Sequence, residues 1–397
     1  MTRLAHRFMA QRFMPVLALI AVAGLTTAAR AADEPPVVRA LLDSTAITAA
    51  DRPTYGSLNV AADGTITLTD FITTFGTDSD PEFAMSYEVG ELVLSGVSEI
   101  AAGLFEVASA EWVGVEVTVA GESAVAIPLM TAGSLYIQQP GNEPSAIDRL
   151  RASNVLAREF TMPEALALVD DQAVVIEDLS GTWDGDPVTG SGTSQFSVRR
   201  VHVPAGVFAE GDNPLAMAGY DELELSMSGT STTTYSGEAV GFDLAMTING
   251  RDVGSLIVEL GADGIPLALF AAIDTETDPD ALMPFADTVS LKRARIRFED
   301  DSLTGRILSL MAEAEGTDVA SFVAEGTAGL EMSLAEFLEP ELARQVSDAL
   351  TAYLNDPRSI TFALSPAQPV NFAQVMAALE NPAGLIEMLQ PTVTAND

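Results

Sequence analysis

The chain has 397 residues and no cysteine, its formal net charge is −38, and hydrophobic residues make up 48% of it. The missing cysteine excludes disulfides, cysteine nucleophiles and thiolate metal sites. A surface this acidic repels nucleic acid, so we expect no nucleic-acid partner. Solubility in a salty exterior is the simplest explanation of the acidity, ahead of an acidic binding surface.

Residues 1–31 have the pattern of a secretory signal peptide. Arg3, Arg7 and Arg12 precede an apolar run over 14–25, and Ala29-Arg30-Ala31 forms a small-x-small cleavage site. A membrane anchor is the alternative, but about a dozen apolar residues are fewer than the ~20 that span a bilayer. We therefore expect cleavage near Ala31, a mature protein in the periplasm or secreted, and no transmembrane segment in the mature chain.

Residues 32–137 are predicted to form an N-terminal β-rich half. Alternating segments on both sides of Asp63-Gly64 predict a tight hairpin. The clearest strand covers 111–119, where Val113, Val115 and Val117 are predicted to share one face. This alternation is typical of a sheet with one buried face and one wetter face.

The pattern then changes twice along the chain. Prolines and polar residues predict a linker over 138–170, with short helices at 148–160 and 163–168. Strands resume over 171–300, the second β-rich half. Residues 301–397 have helical spacing and are predicted to be a mainly helical segment, with helices that begin after Ser302 and at Pro340.

Two internal similarities indicate that the β-rich halves are related. The stretch GSLNVAADG from Gly56 returns as GSLIVELGADG from Gly254, and YEVGELVLSG from Tyr87 resembles YDELELSMSG from Tyr220. The two matches are not collinear, and chance similarity among alternating strands is the alternative. The predicted fold class is α+β: a mainly antiparallel β-sheet in two related β-rich halves, followed by a C-terminal helical segment.

Residues that usually carry catalysis are scarce. Lys292 is the only lysine, which excludes a P-loop, and the mature region has one histidine, His202, predicted to lie on a strand surface. The acidic loop 274–280 resembles a calcium loop, but Pro279 and Phe285 stand where an EF-hand needs glycine and glutamate. We predict no catalytic residue, no metal site and no cofactor.

One cluster of the sequence is unusually basic. The predicted ligand-binding residues are Arg199, Arg200, Lys292, Arg293, Arg295 and Arg297. On a strand, Arg293, Arg295 and Arg297 share one face, while Ile296 and Phe298 turn to the other. The favoured interpretation is a cross-strand ladder of ion pairs with neighbouring acids. The alternative is an anion site, for example for a phospholipid headgroup, beside an apolar sheet.

Four short motifs in the C-terminal third carry a resemblance. They are Asp301-Ser302-Leu303 with Arg306, Asn355-Asp356-Pro357 with Ser359, Pro366-Ala367-Gln368-Pro369-Val370 with Phe372-Ala373-Gln374, and Val393-Thr394-Ala395-Asn396. They are similar to those of an uncharacterised family of exported proteobacterial proteins, and this resemblance implies no activity. More loosely, the glycine-punctuated strands look like large envelope proteins whose β-sheets form apolar grooves.

These patterns predict a non-catalytic periplasmic protein that binds a hydrophobic or lipid-like ligand or an envelope protein partner. A structural or scaffold envelope protein is the alternative. A carboxylate-dependent hydrolase is a third hypothesis, and it requires two acids that converge in a pocket, at least one of them with a raised pKa.

Overall fold

The computed structural model describes residues 34–44, 52–75, 85–140, 156–169, 171–208, 213–237, 239–267, 269, 284–378 and 382–397. The chain divides into two compact units, Met1–Val201 and His202–Asp397. The described residues form a mostly antiparallel sheet with a C-terminal helical segment, which confirms the predicted α+β class. None of the helices in the described part of the chain has the length and apolar character needed to cross a membrane.

The described part of the first unit is a helix and a series of strands that lie side by side in chain order. The elements are α1 (Pro36–Ser44), β1 (Ser57–Val60), β2 (Ile66–Phe75), β3 (Met85–Ala101), β4 (Leu104–Val119), β5 (Glu122–Gln138), β6 (Leu156–Val169), β7 (Gln172–Gly185) and β8 (Gly192–Pro204). Neighbouring strands from β1 to β7 are antiparallel. Tight turns allow this: Ala120 and Gly121 join β4 to β5 with φ of 54° and 83°, as a two-residue hairpin requires.

Buried side chains of the first unit line up in rows across its strands. One cross-strand row consists of Thr73, Tyr87, Val117, Val125, Ala167 and Val174, and every member is buried. Helix α1 packs against β5 and buries an apolar side. Its buried residues are Val37, Val38, Ala40, Leu41, Leu42 and Ser44.

The predicted alternation of β4 is only partly correct. Val115 and Val117 are buried, as expected, but Val113 is 40% exposed. Gly114 has φ of 63°, outside the β region, so the side chains change face at this point. The expectation that Val113 shares the buried face is therefore wrong, because a glycine inside the strand interrupts its period of two.

The predicted linker with short helices is wrong over 156–169, where the chain forms strand β6, paired with β5 and β7. Residues 141–155, including the start of the predicted helix 148–160, lie outside the described residues. Alanine, leucine and glutamate favour helices in isolation, and here pairing on both sides overrides that propensity. The ladder to β5 skips from Thr161 to Leu166, around Pro163, which has no backbone N–H to donate.

The predicted boundary at 170/171 also differs from the division of the structure. It falls between β6 and β7, which pair directly up to Val169 and Gln172. The boundary between the two compact units lies further along, at Val201, inside β8.

The second unit contains a sheet and the helical segment. Its strands are β9 (Glu222–Ser236), β10 (Ala239–Gly250), β11 (Gly254–Pro266), β12 (Ser290–Asp300), β13 (Ser359–Leu364), β14 (Val370–Asn371) and β15 (Pro391–Ala395). The spatial order is β9, β10, β11, β12, β13 and β15, and β14 pairs with β12. All these pairs are antiparallel.

The helices begin and end at local sequence signals. They are α2 (Pro214–Met217), α3 (Leu303–Glu315), α4 (Val319–Thr327), α5 (Leu330–Leu334), α6 (Pro340–Asn355), α7 (Phe372–Ala378) and α8 (Pro382–Leu389). Helix α3 follows Ser302 as predicted, but the Asp300 carboxylate, not Ser302, accepts from the Thr304 N–H at 2.8 Å. Helix α6 starts at Pro340 as predicted and packs against β13 and β15.

The two copies of the Gly-Ser-Leu motif fold differently. The first copy forms β1, a turn at Gly64 and β2, whereas the second copy is one continuous strand, β11. In β11, Asp263 and Gly264 form a bulge opposite Gly241 on β10, because the register moves from Val240–Ile265 to Phe242–Ala262. The two copies of the Gly-Ser-Leu motif therefore do not form a repeated hairpin.

Candidate functional site

The sheet of the second unit carries apolar side chains in rows on one face. Successive residues of a strand point to opposite faces, so the register decides which residues share a face. The first row is Leu244, Leu260, Ala294 and Leu364; the second is Met246, Val258, Ile296, Phe362 and Val393; the third is Ile248, Leu256, Phe298, Ile360 and Ala395. We call these three rows the apolar face.

The middle of the apolar face is open. Leu260, Ile296 and Phe362 lie on three adjacent strands and are 37%, 52% and 43% exposed. In the first unit the comparable row from Thr73 to Val174 is fully buried. The strands of the two units therefore share a pattern of alternation, but these apolar rows differ in how far the chain itself covers them.

The size of the apolar face follows from strand geometry. The second and third rows cross five strands, β10 to β13 and β15. At ~4.8 Å between strands the rows are ~19 Å long, and three rows two residues apart span ~14 Å along the strands.

The opposite face of the same sheet is polar and holds the predicted basic strand. Arg293 pairs with Asp243 at 2.9 Å and Arg295 with Glu259 at 3.0 Å. The Arg297 guanidinium contacts Glu299 at 2.8 Å and Asp397 at 2.6 Å. The structure thus shows the ion-pair ladder that was the favoured interpretation of this strand.

Lys292 joins the same network. Its Nζ lies 2.6 Å from Asp243 and 3.2 Å from Asp263, and the hydrogen bond with Asp243 raises the pKa of Lys292 although partial burial opposes it. Gly261 makes room for the network, because a Cβ there would stand 2.8 Å from the Asp243 carboxylate and 3.2 Å from Cε of Lys292.

Arg199 and Arg200 lie on β8 and form ion pairs within the first unit. The Arg199 guanidinium contacts Asp178 at 2.6 Å and Glu177 at 2.9 Å, and the hydrogen bond with Asp178 raises its pKa. Arg200 approaches Glu177 at 3.5 Å. An anion site at these cations or at those of β12 stays a prediction. Unchanged binding of anionic lipid by an Arg293→Ala/Arg295→Ala variant would contradict it for β12.

The other candidate groups have ordinary structural surroundings. His202 lies on β8, half-buried, with Nδ1 3.9 Å from a Glu222 carboxylate oxygen. Among the described residues no group of three or more histidines and acids could hold a metal ion, and the loop 274–280 lies outside them.

The hydrolase hypothesis requires a carboxyl group with a raised pKa. In the described part of the chain, the carboxyl groups with a shifted pKa all have it lowered. They are Glu34, Asp63, Asp318, Glu341 and Asp397.

A family model described as "Uncharacterized protein" matches residues 247–396. The match contains β11 to β15 and helices α3 to α8, and its position agrees with the resemblance noted for the C-terminal third. Most of the apolar face therefore lies inside the matched region. A search of curated proteins finds no match to the chain.

The sequence indicated one strand of the apolar face but not the face itself. Alternation on β12 placed Ile296 and Phe298 opposite the arginines. Phe362 and Leu260 join them only through the pairing of β13 and β11 with β12. The missing signal is the register, which a single sequence does not contain.

Proposed function

We propose that the second unit binds the hydrocarbon part of a lipid-like molecule on its apolar face, without catalysing a reaction. The mature protein acts in the periplasm or outside the cell, after removal of the signal peptide near Ala31. The observation that carries this proposal is the open middle of the apolar face at Leu260, Ile296 and Phe362.

The energetics favour an occupant on this face. Burial of a fully exposed large apolar side chain gains about 1.5–3 kcal/mol. Leu260, Ile296 and Phe362 stand together on adjacent strands and, at 37–52% exposure, retain part of this gain. Contiguous apolar patches on soluble proteins commonly mark binding surfaces, whereas single exposed apolar residues need no explanation.

The dimensions favour acyl chains as that occupant. One leaflet of a bilayer has a hydrocarbon thickness of about 15 Å, half of the ~30 Å core. The part of the second row that the chain leaves unburied, from Met246 to Phe362, crosses four strands and is ~14 Å long. This length is close to that of one acyl chain in a leaflet. The cations of the opposite face are already compensated by carboxylates of the chain, which favours the apolar face as the binding surface.

An uncharged lipid tests the apolar face without any contribution from a headgroup charge. We expect the mature protein to bind pyrene-labelled diacylglycerol in a fluorescence titration. Ile296→Thr combined with Phe362→Thr should weaken this binding at least about tenfold, because two exposed apolar contacts are lost. Threonine keeps the β-propensity high, so circular dichroism should show an unchanged fold.

The matched control is Arg295→Gln, next to Ile296 in sequence but on the opposite face. It should bind the probe like the parent protein. If the double variant binds as tightly as the parent, or if the parent does not bind the probe, the apolar face is not a lipid site. An envelope protein partner then becomes the better hypothesis.

A further inference from the structure

A shallow cleft with charged side chains at its wall lies beside the end of β12. Its volume is about 610 Å³, and its lining includes Met217, Asp300, Asp301, Ser302, Arg306 and Glu313. Asp301, Ser302 and Arg306 belong to the motifs that carry the resemblance of the C-terminal third. All of these residues lie in the second unit.

Arg306 is held in position at the wall of this cleft. Its guanidinium carbon stacks over the Tyr220 ring, 4.4 Å from the ring centroid. Its Nη1 donates to the carbonyl oxygens of Ala218 and Gly219, both at 3.4 Å. Tyr220 is buried, and its hydroxyl donates to the Asp252 carbonyl at 3.1 Å. The Tyr220 ring and the two carbonyl oxygens therefore fix the direction of the Arg306 guanidinium, which is exposed.

Arg306 also differs from the other cations of its unit in its charge environment. The other basic side chains described there each have a carboxylate oxygen within 4 Å: Arg251, Lys292, Arg293, Arg295, Arg297, Arg344 and Arg358. Within the described residues, Arg306 has none. In a chain of net charge −38, a positioned guanidinium without a carboxylate is suited to a phosphate, whose oxygens match its planar fork.

The acids of the cleft restrict which phosphate fits. Asp300, Asp301 and Glu313 line the same space and would repel a ligand that carries only negative charge. A ligand with an ammonium group next to its phosphate can pair with both Arg306 and the carboxylates of the cleft. Tyr220 is buried and stacks on Arg306, so it does not offer a ligand the open aromatic cage that favours a quaternary ammonium. Carboxylates instead accept hydrogen bonds from a primary ammonium.

The cleft continues the apolar face. On β12, Ile296, Phe298 and Asp300 follow at two-residue spacing and share one side of the sheet, and Asp300 also lines the cleft. We infer that the cleft binds a zwitterionic headgroup made of a phosphodiester and a primary ammonium, with its acyl chains on the apolar face. This inference rests on the proposed function, since it names the lipid class for the same surface.

The decisive experiment offers the full mature protein four lipids with identical acyl chains: phosphatidylethanolamine, phosphatidylcholine, phosphatidylglycerol and diacylglycerol. Captured lipid is counted by native mass spectrometry after incubation with vesicles that contain equal amounts of each. We expect phosphatidylethanolamine to exceed phosphatidylcholine and phosphatidylglycerol at least about fivefold. Equal capture of the three phospholipids would overturn the headgroup inference and leave the proposed function intact.

Variants assign the selectivity to the cleft. Arg306→Gln should reduce capture of phosphatidylethanolamine about tenfold or more and leave diacylglycerol capture unchanged. Arg344→Gln, an exposed arginine on α6, should change neither. Unchanged phosphatidylethanolamine capture by Arg306→Gln overturns the inference, and equal loss of both lipids indicates a fold defect and removes Arg306 as a headgroup ligand.

A soluble probe separates the two proposals. Glycerophosphoethanolamine has the headgroup without acyl chains, and we expect calorimetry to detect its binding to the parent protein but not to Arg306→Gln. Inorganic phosphate should bind more weakly, because the cleft carboxylates then lack a cationic partner. If diacylglycerol fails to bind but the soluble headgroup binds, the proposed function is wrong and the cleft site stands. If phosphate binds as well as the headgroup, the cleft is a general anion site.

Discussion

At the residue scale, Gly254 shows how closely β11 and β12 approach. Its φ is 144°, and a Cβ there would collide with the Glu299 carbonyl oxygen and stand 2.9 Å from Cζ of Phe298. We expect Gly254→Ala to lower the free energy of unfolding by about 2–4 kcal/mol, because backbone strain and overpacking add. Urea unfolding monitored by circular dichroism measures the change.

The matched control is Gly326→Ala in α4, where a Cβ meets nothing within 4 Å. This substitution should be neutral or should stabilise by up to ~1 kcal/mol, since alanine has the higher helix propensity. Equal stability of the two variants would contradict the close approach of Gly254 to β12.

Local departures of the backbone from regular strand geometry explain where the sequence-based predictions failed. Alternation located the strand at 111–119, but the positive φ of Gly114 exchanged the faces of the side chains that follow. The sequence alone does not show which glycines adopt a positive φ. The Ala-Asp-Gly triplets at 62–64 and 262–264 are identical, yet one is a turn and the other a bulge. Partner strands decide such cases, since the second triplet is paired on both sides of the bulge.

At the element scale, most strand positions and some helix ends were predictable, whereas pairing was not. The start of α6 at Pro340 and the end of α3 before Gly316 follow from local geometry. Strand β6 was predicted as helix because its composition favours helix and only neighbouring strands make it extended. The apolar face has the same origin, because each strand shows its alternation but only the register joins the strands into rows.

Helix α1 is anchored by a charge cluster that makes its docking sensitive to pH. Burial raises the pKa of the Glu34 carboxyl, but hydrogen bonds from Arg52 at 2.7 Å and Tyr55 at 3.0 Å, with the charge of Arg52, lower it more, so the net pKa is lowered. A lowered pKa contributes stability that is present above the unfolded value of about 4.3 and is lost as pH falls through the folded value.

Glu34→Gln should therefore destabilise α1 at pH 7 and reduce its sensitivity to acid. We expect the free energy of opening of α1 to fall by about 1–2 kcal/mol, because the hydrogen bonds to Arg52 are weakened. Hydrogen exchange of residues 36–44 between pH 7 and pH 3 measures it, with rates corrected for intrinsic pH dependence. Glu122→Gln, at the exposed first residue of β5, is the control. Identical acid profiles for Glu34→Gln and the parent would show that this cluster does not hold α1.

At the scale of the whole molecule, net charge competes with ion pairing. Exposed ion pairs contribute about 0–1 kcal/mol each, and salt weakens them. A net charge of −38 also produces self-repulsion, which destabilises the fold. Salt screens this repulsion too, and in this way it stabilises the fold. Because acids outnumber bases by 57 to 19, most carboxylates have no cation to pair with, and repulsion should outweigh the pairs.

We therefore expect the Tm to rise by a few degrees between 10 and 300 mM NaCl, equivalent to about 1–2 kcal/mol. Differential scanning calorimetry provides the measurement. Tetramethylammonium chloride should give the same gain if screening is the cause, since a bulky cation cannot enter a specific oxygen-lined site. The gain should shrink near pH 4, where protonated carboxyl groups reduce the repulsion. A Tm that falls with salt would mean that the ion-pair networks, such as that of Lys292 with Asp243 and Asp263, dominate the electrostatics of the fold.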